Sequence, residues 1–268
     1  MIGGCRVVVV LPAYNAARTL ERTLAELDPN VADDILLVDD GSNDATPALA
    51  RRLGLQVIEH VINKGYGANQ KTCYAAALDL QADIVVMVHP DYQYSPRLMP
   101  CLAAMVASGE YDVVLASRIL GSTAVRGGMP RYKYFANRTL TVVENILLGA
   151  RLSEYHTGYR AYSRHVLKAI RLSDLSDNFI FDNQILAQVQ AAGFRIGEIS
   201  CPTRYAADSS SIGPVDSVRY GIGVLSTALA YRLHVAGIRR CTYLEPVPGH
   251  KQPSSHDPCA TDPPRRRV

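Results

Sequence analysis

Much is ruled out by what this chain does not contain. No stretch of its 268 residues is apolar for long enough to cross a bilayer; the nearest, Tyr220 to Ile238, is broken by Arg232 and His234. The run Val7–Leu11 is too short for a signal-peptide core, and a polar segment follows it. The six cysteines stand apart at 5, 73, 101, 201, 241 and 259, with no CxxC pair. Neither a zinc site nor a disulfide framework is indicated, so reduced thiols in a cytoplasmic protein are expected. No Lys/Arg stripe with interleaved aromatics appears before the last residues, and a net charge of +3 is too small to argue for nucleic acid. There is no internal repeat, no Walker spacing and no dinucleotide fingerprint. What remains is an ordinary globular composition, 48% apolar and 20% charged, at a length that suits one large α/β domain or two small ones.

Hydrophobic periodicity orders the first half. Arg6–Leu11 reads as a buried strand and Ala16–Leu27 as a helix with Leu20, Leu24 and Leu27 on one side. Ile35–Val38 predicts a second strand; Thr46 and Pro47 open a helix to about Leu53. Gln56–Glu59 is a third strand, and a helix runs from the 63–67 loop to about Leu80. Ile84–Val88 is a fourth strand, Ser95-Pro96 opens a helix, and Asp112–Ala116 is a fifth strand. This β-α alternation predicts a doubly wound, mostly parallel sheet flanked by helices. Then the rhythm changes. Ser117–Arg131 is Gly-rich and reads as a mobile loop. Tyr132–Leu148 and Asp182–Ala192 are helical, Phe194–Cys201 is a strand, and Ser217–Ile238 is an unusually apolar helix. The expected organisation is a main domain over 1–216 in two parts that meet at about residue 116. A helical segment follows over 217–244, then a Pro/Ser/Asp-rich tail over 245–268 that is expected to be disordered.

The chemistry gathers at strand ends. Ile35–Val38 stops at Asp39-Asp40-Gly41-Ser42, and open α/β sheets bind ligands outside the C-terminal ends of their strands. A carboxylate there suits a base N–H, a ribose hydroxyl or a metal; the alternative is an Asx turn with both acids solvated or capping. Pro12-Ala13-Tyr14-Asn15 ends the first strand and either presents Tyr14 to a base or is an ordinary turn. Asn63-Lys64-Gly65-Tyr66-Gly67 suits phosphate at a helix start as well as it suits a plain loop. Asp91 and Gln93 offer oxygens at i and i+2 to a hard cation on a diphosphate, beside His89, which reads better as a strand-end histidine than as a ligand. Arg118, Arg131, Lys133 and Arg138 are candidates to neutralise a leaving group, though most surface arginines do not. Asp182 sits where a helix begins, as an N-cap or as a general base.

In order, VVVVLPAYN, LLVDDGSND, NKGYGAN, an aspartate motif after strand four, ASR and HTGYRAYSR resemble the family 2 glycosyltransferases of the GT-A fold. The resemblance runs from about residue 6 to about 215 and points to the branch of polyprenyl-phosphate sugar synthases and their soluble relatives. It implies an inverting transfer of a sugar from a UDP- or GDP-sugar. Pro12, Ala13, Tyr14, Asn15, Asp39, Asp40, Lys64 and Asp91 would then form the nucleotide site. His89, Arg118, Arg131 and Arg160 would face phosphate or sugar, and Asp91 with Gln93 would hold Mg²⁺ or Mn²⁺. Asp182 falls near the family's catalytic carboxylate, with His156 the second candidate. Two positions depart from the pattern: His89 stands where the metal motif usually has an aspartate, and Ala16 where an acid often follows PAYN.

The acceptor stays open between a polyprenyl phosphate, a glycan and a small natural product. The 217–240 segment, flanked by Arg219, Arg239 and Arg240, suits a core or dimer helix or a peripheral contact with anionic lipid on the cytoplasmic face. A nucleotidyltransferase is disfavoured, because Pro-Ala-Tyr-Asn stands where its Gly-rich basic signature belongs. An inactive nucleotide-sugar-binding or scaffold protein is the other alternative, encouraged by His89.

Overall fold

In the computed structural model, residues 1–121, 124–204 and 213–249 are described. The chain runs β1 (Val7–Ala13), α1 (Leu20–Ala25), β2 (Asp34–Asp39), α2 (Thr46–Arg52), β3 (Gln56–Glu59), α3 (Tyr66–Asp79), β4 (Ile84–Met87), α4 (Met99–Ala107) and β5 (Val113–Ser117). It continues through α5 (Arg131–Leu148), β6 (Arg160–Ser163), α6 (Arg164–Ala169), α7 (Phe181–Ala191), β7 (Ile196–Ser200) and α8 (Pro214–Val235). The tail expected to be disordered lies, from residue 250 on, outside the described residues.

The seven strands form one sheet in the order β3-β2-β1-β4-β6-β5-β7. All seven residues of β1 are buried, because helices cover both faces of the sheet. Val8 and Val10 pack with Leu36, Val38, Val85 and Met87 on one face; Val7, Val9 and Leu11 pack with Leu37, Ile84 and Val86 on the other. After β3 the chain crosses back to place β4 on the far side of β1. Strands β1 and β4 therefore diverge at a topological switch point, and their C-terminal ends open a crevice.

Sequence periodicity missed β6 and α6. Strand β6 runs antiparallel to both β4 and β5, in register Val86↔Ala161 and Val114↔Ala161. Its four residues, Arg160-Ala-Tyr-Ser163, are all buried and carry no polar-apolar alternation to read. Helix α1 is shorter than predicted, since Ala16–Thr19 forms a turn whose Ala16 N–H donates to Thr46 Oγ1 at 2.8 Å. In the described part of the Gly-rich 117–131 stretch Ala124 and Met129 are buried, Leu120 and Val125 are exposed, and a Cβ on Gly127 would lie 2.1 Å from Thr203 O. Cys73, Cys101, Cys201 and Cys241 are free thiols.

Helix α8 packs against α5 and α7. The apolar surface of this layer is larger than one helix face can bury. Tyr132, Phe135, Val142 and Ile146 of α5 stand exposed, as do Val218, Ile222, Leu225 and Leu229 of α8. Among the described residues no helix is long and apolar enough to cross a membrane.

Candidate active site

The end of β2 divides its two carboxylates. Asp39 accepts from Ser42 N–H at 2.9 Å and Ser42 Oγ at 2.5 Å, closing the Gly41 turn at the crevice rim. Asp40 points elsewhere, accepting from the N–H groups of Lys64 and Gly65 at 2.9 Å each and facing His60 Nδ1 at 2.6 Å. The amides that a phosphate would need in the 63–67 loop are thus taken: Gly67 N–H also donates, to Asp177 O at 2.7 Å. The Lys64 side chain is exposed, so the phosphate-loop reading of this segment has no open cradle behind it. Pro12 and Ala13 are buried strand residues. Asn69 of α3 donates to Ala13 O and Val38 O, tying the ends of β1 and β2 together. Asn15 accepts from Asn43 N–H at 2.9 Å, which leaves Tyr14 half exposed at the rim.

Behind this rim lies a cavity of about 310 Å³. The end of β4 supplies His89, Asp91, Gln93 and Tyr94; Arg118 enters from β5, Lys133 and Asn137 from α5, Asp182 from α7 and Tyr220 from α8. Asp182 accepts from the Tyr66 hydroxyl at 2.7 Å and from Gln70 Nε2 at 3.2 Å. Because that hydroxyl has one proton and gives it to Asp182, His89 Nε2, 3.2 Å away, is the donor to Tyr66 Oη. Burial holds the His89 imidazole neutral, and its Nδ1 is left as an acceptor. Gly158 makes this contact fit: a Cβ there would lie 2.4 Å from His89 Nε2.

The basic candidates separate clearly. Arg118 lines the cavity, but its guanidinium is held by the buried Glu154, with Nε–Oε1 at 2.8 Å, and donates to His156 O at 2.8 Å. The Glu154 carboxyl is held below its ordinary range by Arg118, against the opposing effect of burial. Arg160 does not face the cavity. It is fully buried and donates to Thr157 O, Tyr155 O, Asp182 O and the Tyr162 hydroxyl. Its place is behind Asp182, 3.6 Å from Oδ1, rather than on a phosphate. Arg131 is exposed at the start of α5, and Lys133 lines the cavity instead. His156 lines it too, but burial lowers its pKa to about 4, and Nδ1 is engaged by the Tyr220 hydroxyl at 2.8 Å. A neutral, engaged imidazole of that kind is a poor general base.

A cation would meet one carboxylate, Asp91, and the Gln93 amide, with Asp91 Oδ1 accepting from Gln93 N–H at 3.1 Å. The described residues hold no group of three His, Cys, Asp or Glu arranged for a metal. This donor set fits a hard ion that keeps waters and arrives with a diphosphate, not a preformed protein cage. Gln70, Tyr94 and Tyr220 were not singled out by sequence, and Tyr66 only as a member of the 63–67 loop. The only signal was compositional, 15 tyrosines against 4 phenylalanines, a bias toward rings with a polar tip.

The comparisons agree with this geometry. Residues 8–171 match the model of glycosyl transferase family 2. Glycosyltransferase AglD of Haloferax volcanii is 31% identical over 239 residues, covering 84% of this chain and 37% of that protein. A dolichyl-phosphate hexose transferase of the same organism is 29% identical, covering 85% of this chain and 96% of its own length. Polyprenol monophosphomannose synthase of Mycolicibacterium smegmatis is 29% identical, covering 72% and 76%. In fold, the chain is similar to glucosyl-3-phosphoglycerate synthase of Mycobacterium tuberculosis, solved with Mn²⁺ and UDP-glucose, at a TM-score of 0.67 and 22% identity over 85% of this chain and 79% of that one. A switch-point crevice, its strand-end acids and these likenesses agree: the chain is a GT-A-fold glycosyltransferase and belongs to glycosyl transferase family 2.

Proposed function

We propose that this enzyme transfers a hexose from a UDP- or GDP-sugar to a polyprenyl phosphate at a membrane surface. One observation carries the acceptor. The exposed apolar side chains of α5 and α8 adjoin the cavity, whose walls include Tyr132, Ala136 and Leu140 of α5 and Ser217 and Tyr220 of α8. An apolar face of that extent suits an acyl boundary, and the exposed Arg219, Arg239 and Arg240 suit anionic headgroups beside it. Several relatives are named for dolichyl, polyprenol or undecaprenyl phosphate acceptors, which supports the same reading.

In this reading Tyr14 and Asp39 meet the base and ribose at the rim. Asp91 and Gln93 hold Mg²⁺ or Mn²⁺, which would stabilise charge on the departing diphosphate. Arg118 and His89 face phosphate and sugar, and Lys133 receives the acceptor phosphate from the α5 side. A phosphate acceptor is already anionic and needs no base. Asp182 then acts through Tyr66 and Gln70, fixing His89 and the sugar's hydroxyls; an alcohol acceptor would need Asp182 to take its proton.

Asp182→Asn separates the two cases. With a polyprenyl phosphate acceptor the variant is expected to keep activity within about 10-fold, whereas loss of a general base costs about 10²–10⁴-fold. Flotation with anionic liposomes tests the surface: wild type should float, and Phe135→Asp with Ile222→Asp should not. Failure of any UDP- or GDP-hexose to label polyprenyl phosphate in the presence of Mn²⁺ or Mg²⁺ would overturn the assignment.

A further inference from the structure

Four side chains from four segments meet behind the cavity. Asn183 Nδ2 of α7 donates to Glu144 Oε1 of α5 at 2.7 Å. Glu144 Oε2 faces His156 Nε2 at 3.3 Å. His156 Nδ1 meets the Tyr220 hydroxyl of α8 at 2.8 Å, and that hydroxyl donates back to Asn183 Oδ1 at 2.7 Å. Both members of the facing pair, Glu144 Oε2 and His156 Nε2, are buried, and neither has a hydrogen-bond partner, their own 3.3 Å contact included.

Counting protons decides what the contact is. The Tyr220 proton goes to Asn183, so Tyr220 Oη accepts from His156 Nδ1–H. A neutral imidazole protonated at Nδ1 presents a bare Nε2. The atom opposite must then donate, and a carboxyl can do so only as the acid. Two features favour the neutral arrangement over an imidazolium–carboxylate pair. Burial raises the Glu144 pKa to about 8 and lowers that of His156 to about 4. The Glu154 carboxylate favours a cation on the imidazole, and the Arg118 and Arg160 charges stand against it.

We propose that Glu144 is a positioning residue that donates its carboxyl proton to His156 Nε2, closing a one-directional four-membered ring that fixes the Nδ1–H tautomer of His156 and clamps α5 and α8 to the first turn of α7. Asp182 precedes Asn183 in that turn, so the ring sets where Asp182 stands relative to the acceptor wall. The catalytic part of this statement rests on the proposed acceptor and on the role given to Asp182; the proton placement does not.

Glutamine is an isostere of the protonated acid and can make the same two bonds, which makes Glu144→Gln the informative variant. Long-range ¹H–¹⁵N spectra of the full chain at pH 7 should show His156 as the Nδ1–H tautomer in wild type and in Glu144→Gln, and not in Glu144→Ala. Turnover should stay within about 3-fold in Glu144→Gln and fall further in Glu144→Ala, though within the about 10-fold expected of Asp182→Asn, since Asp182 positions groups and takes no proton from a phosphate acceptor. Where the alanine variant fails to fold, Tyr220→Phe removes the Nδ1 acceptor but leaves the Glu144 proton on Nε2, so it should keep the Nδ1–H tautomer, and its loss there would overturn the proposal. A doubly protonated His156 in wild type at pH 7 would overturn the proposal, as would a Glu144→Gln spectrum with the tautomer lost. If the spectra hold while no polyprenyl phosphate is labelled, the ring stands and the acceptor assignment falls.

Discussion

Raising the pH from 6.5 to 8 should destabilise this protein by about 2 kcal/mol, through Glu144. Its pKa is about 8 in the fold against 4.5 for the free side chain, with burial as the main cause. The folded state therefore keeps a proton that the unfolded chain has lost. Stability from this group is complete below pH 4.5 and drains away as pH rises to 8. His156 works in the opposite sense: with a pKa of about 4 in the fold against 6.5 outside it, the folded state gains as pH rises from 4 to 6.5. Between 4.5 and 6.5 the two slopes cancel. Above 6.5 only Glu144 remains, over 1.5 pH units at ~1.4 kcal/mol each. The other displaced groups act elsewhere: His89 below 6.5, and the buried tyrosines and cysteines above 9. For a chain of this size the loss lowers Tm by about 4–8 °C. Differential scanning calorimetry at pH 6.5 and 8 measures it, with Glu144→Gln as the control that should be flat across the window. A flat wild-type profile, or a Glu144→Gln profile as steep as wild type, refutes the reasoning.

Three further outcomes are expected. Arg160→Met should cost about 3–5 kcal/mol in urea unfolding, because it strands the carbonyls of Tyr155, Thr157 and Asp182 beside an unpaired acid; a phosphate-contact arginine would leave stability unchanged and raise the donor KM. Gly158→Ala should push His89 off Tyr66, since the new Cβ falls 2.4 Å from Nε2; a destabilisation of about 1–3 kcal/mol and a raised donor KM would show in melting and initial-rate assays. Asp91→Ala should abolish the stabilisation of the nucleotide-sugar complex by Mn²⁺ while leaving the Tm of the free protein within about 2 °C; an unchanged Mn²⁺ titration would remove Asp91 from the cation site.

The fold of the first 116 or so residues was legible because its signals are local. A buried run ending in Asp39, or in His89-Pro90-Asp91, is written in consecutive residues, and the doubly wound, mostly parallel sheet follows from β-α alternation. The rest was not, because its pieces make sense only together. Arg160 has the composition of a surface cation, yet its partners are carbonyls supplied by residues 155, 157 and 182. Glu144 sits in α5 like any helical acid, and its meaning depends on a histidine twelve residues on and a tyrosine seventy-six residues on. The apolarity of α8 was visible, but not that α5 would lie beside it and double the exposed face.

The reversed strand β6 has a consequence for how the chain is made. Strands β4 and β5 do not pair with each other; β6 fills the place between them. As synthesis proceeds from the N-terminus, β1 through β5 emerge before residue 160 exists. The nascent sheet therefore carries two unpaired edges, Ile84–Met87 and Val113–Ser117, whose side chains are all buried in the finished molecule. Such edges invite pairing with other chains. The four residues of β6 close these two facing edges at once, and the other edge of β5 stays open until Ile196–Ser200 of β7 follows.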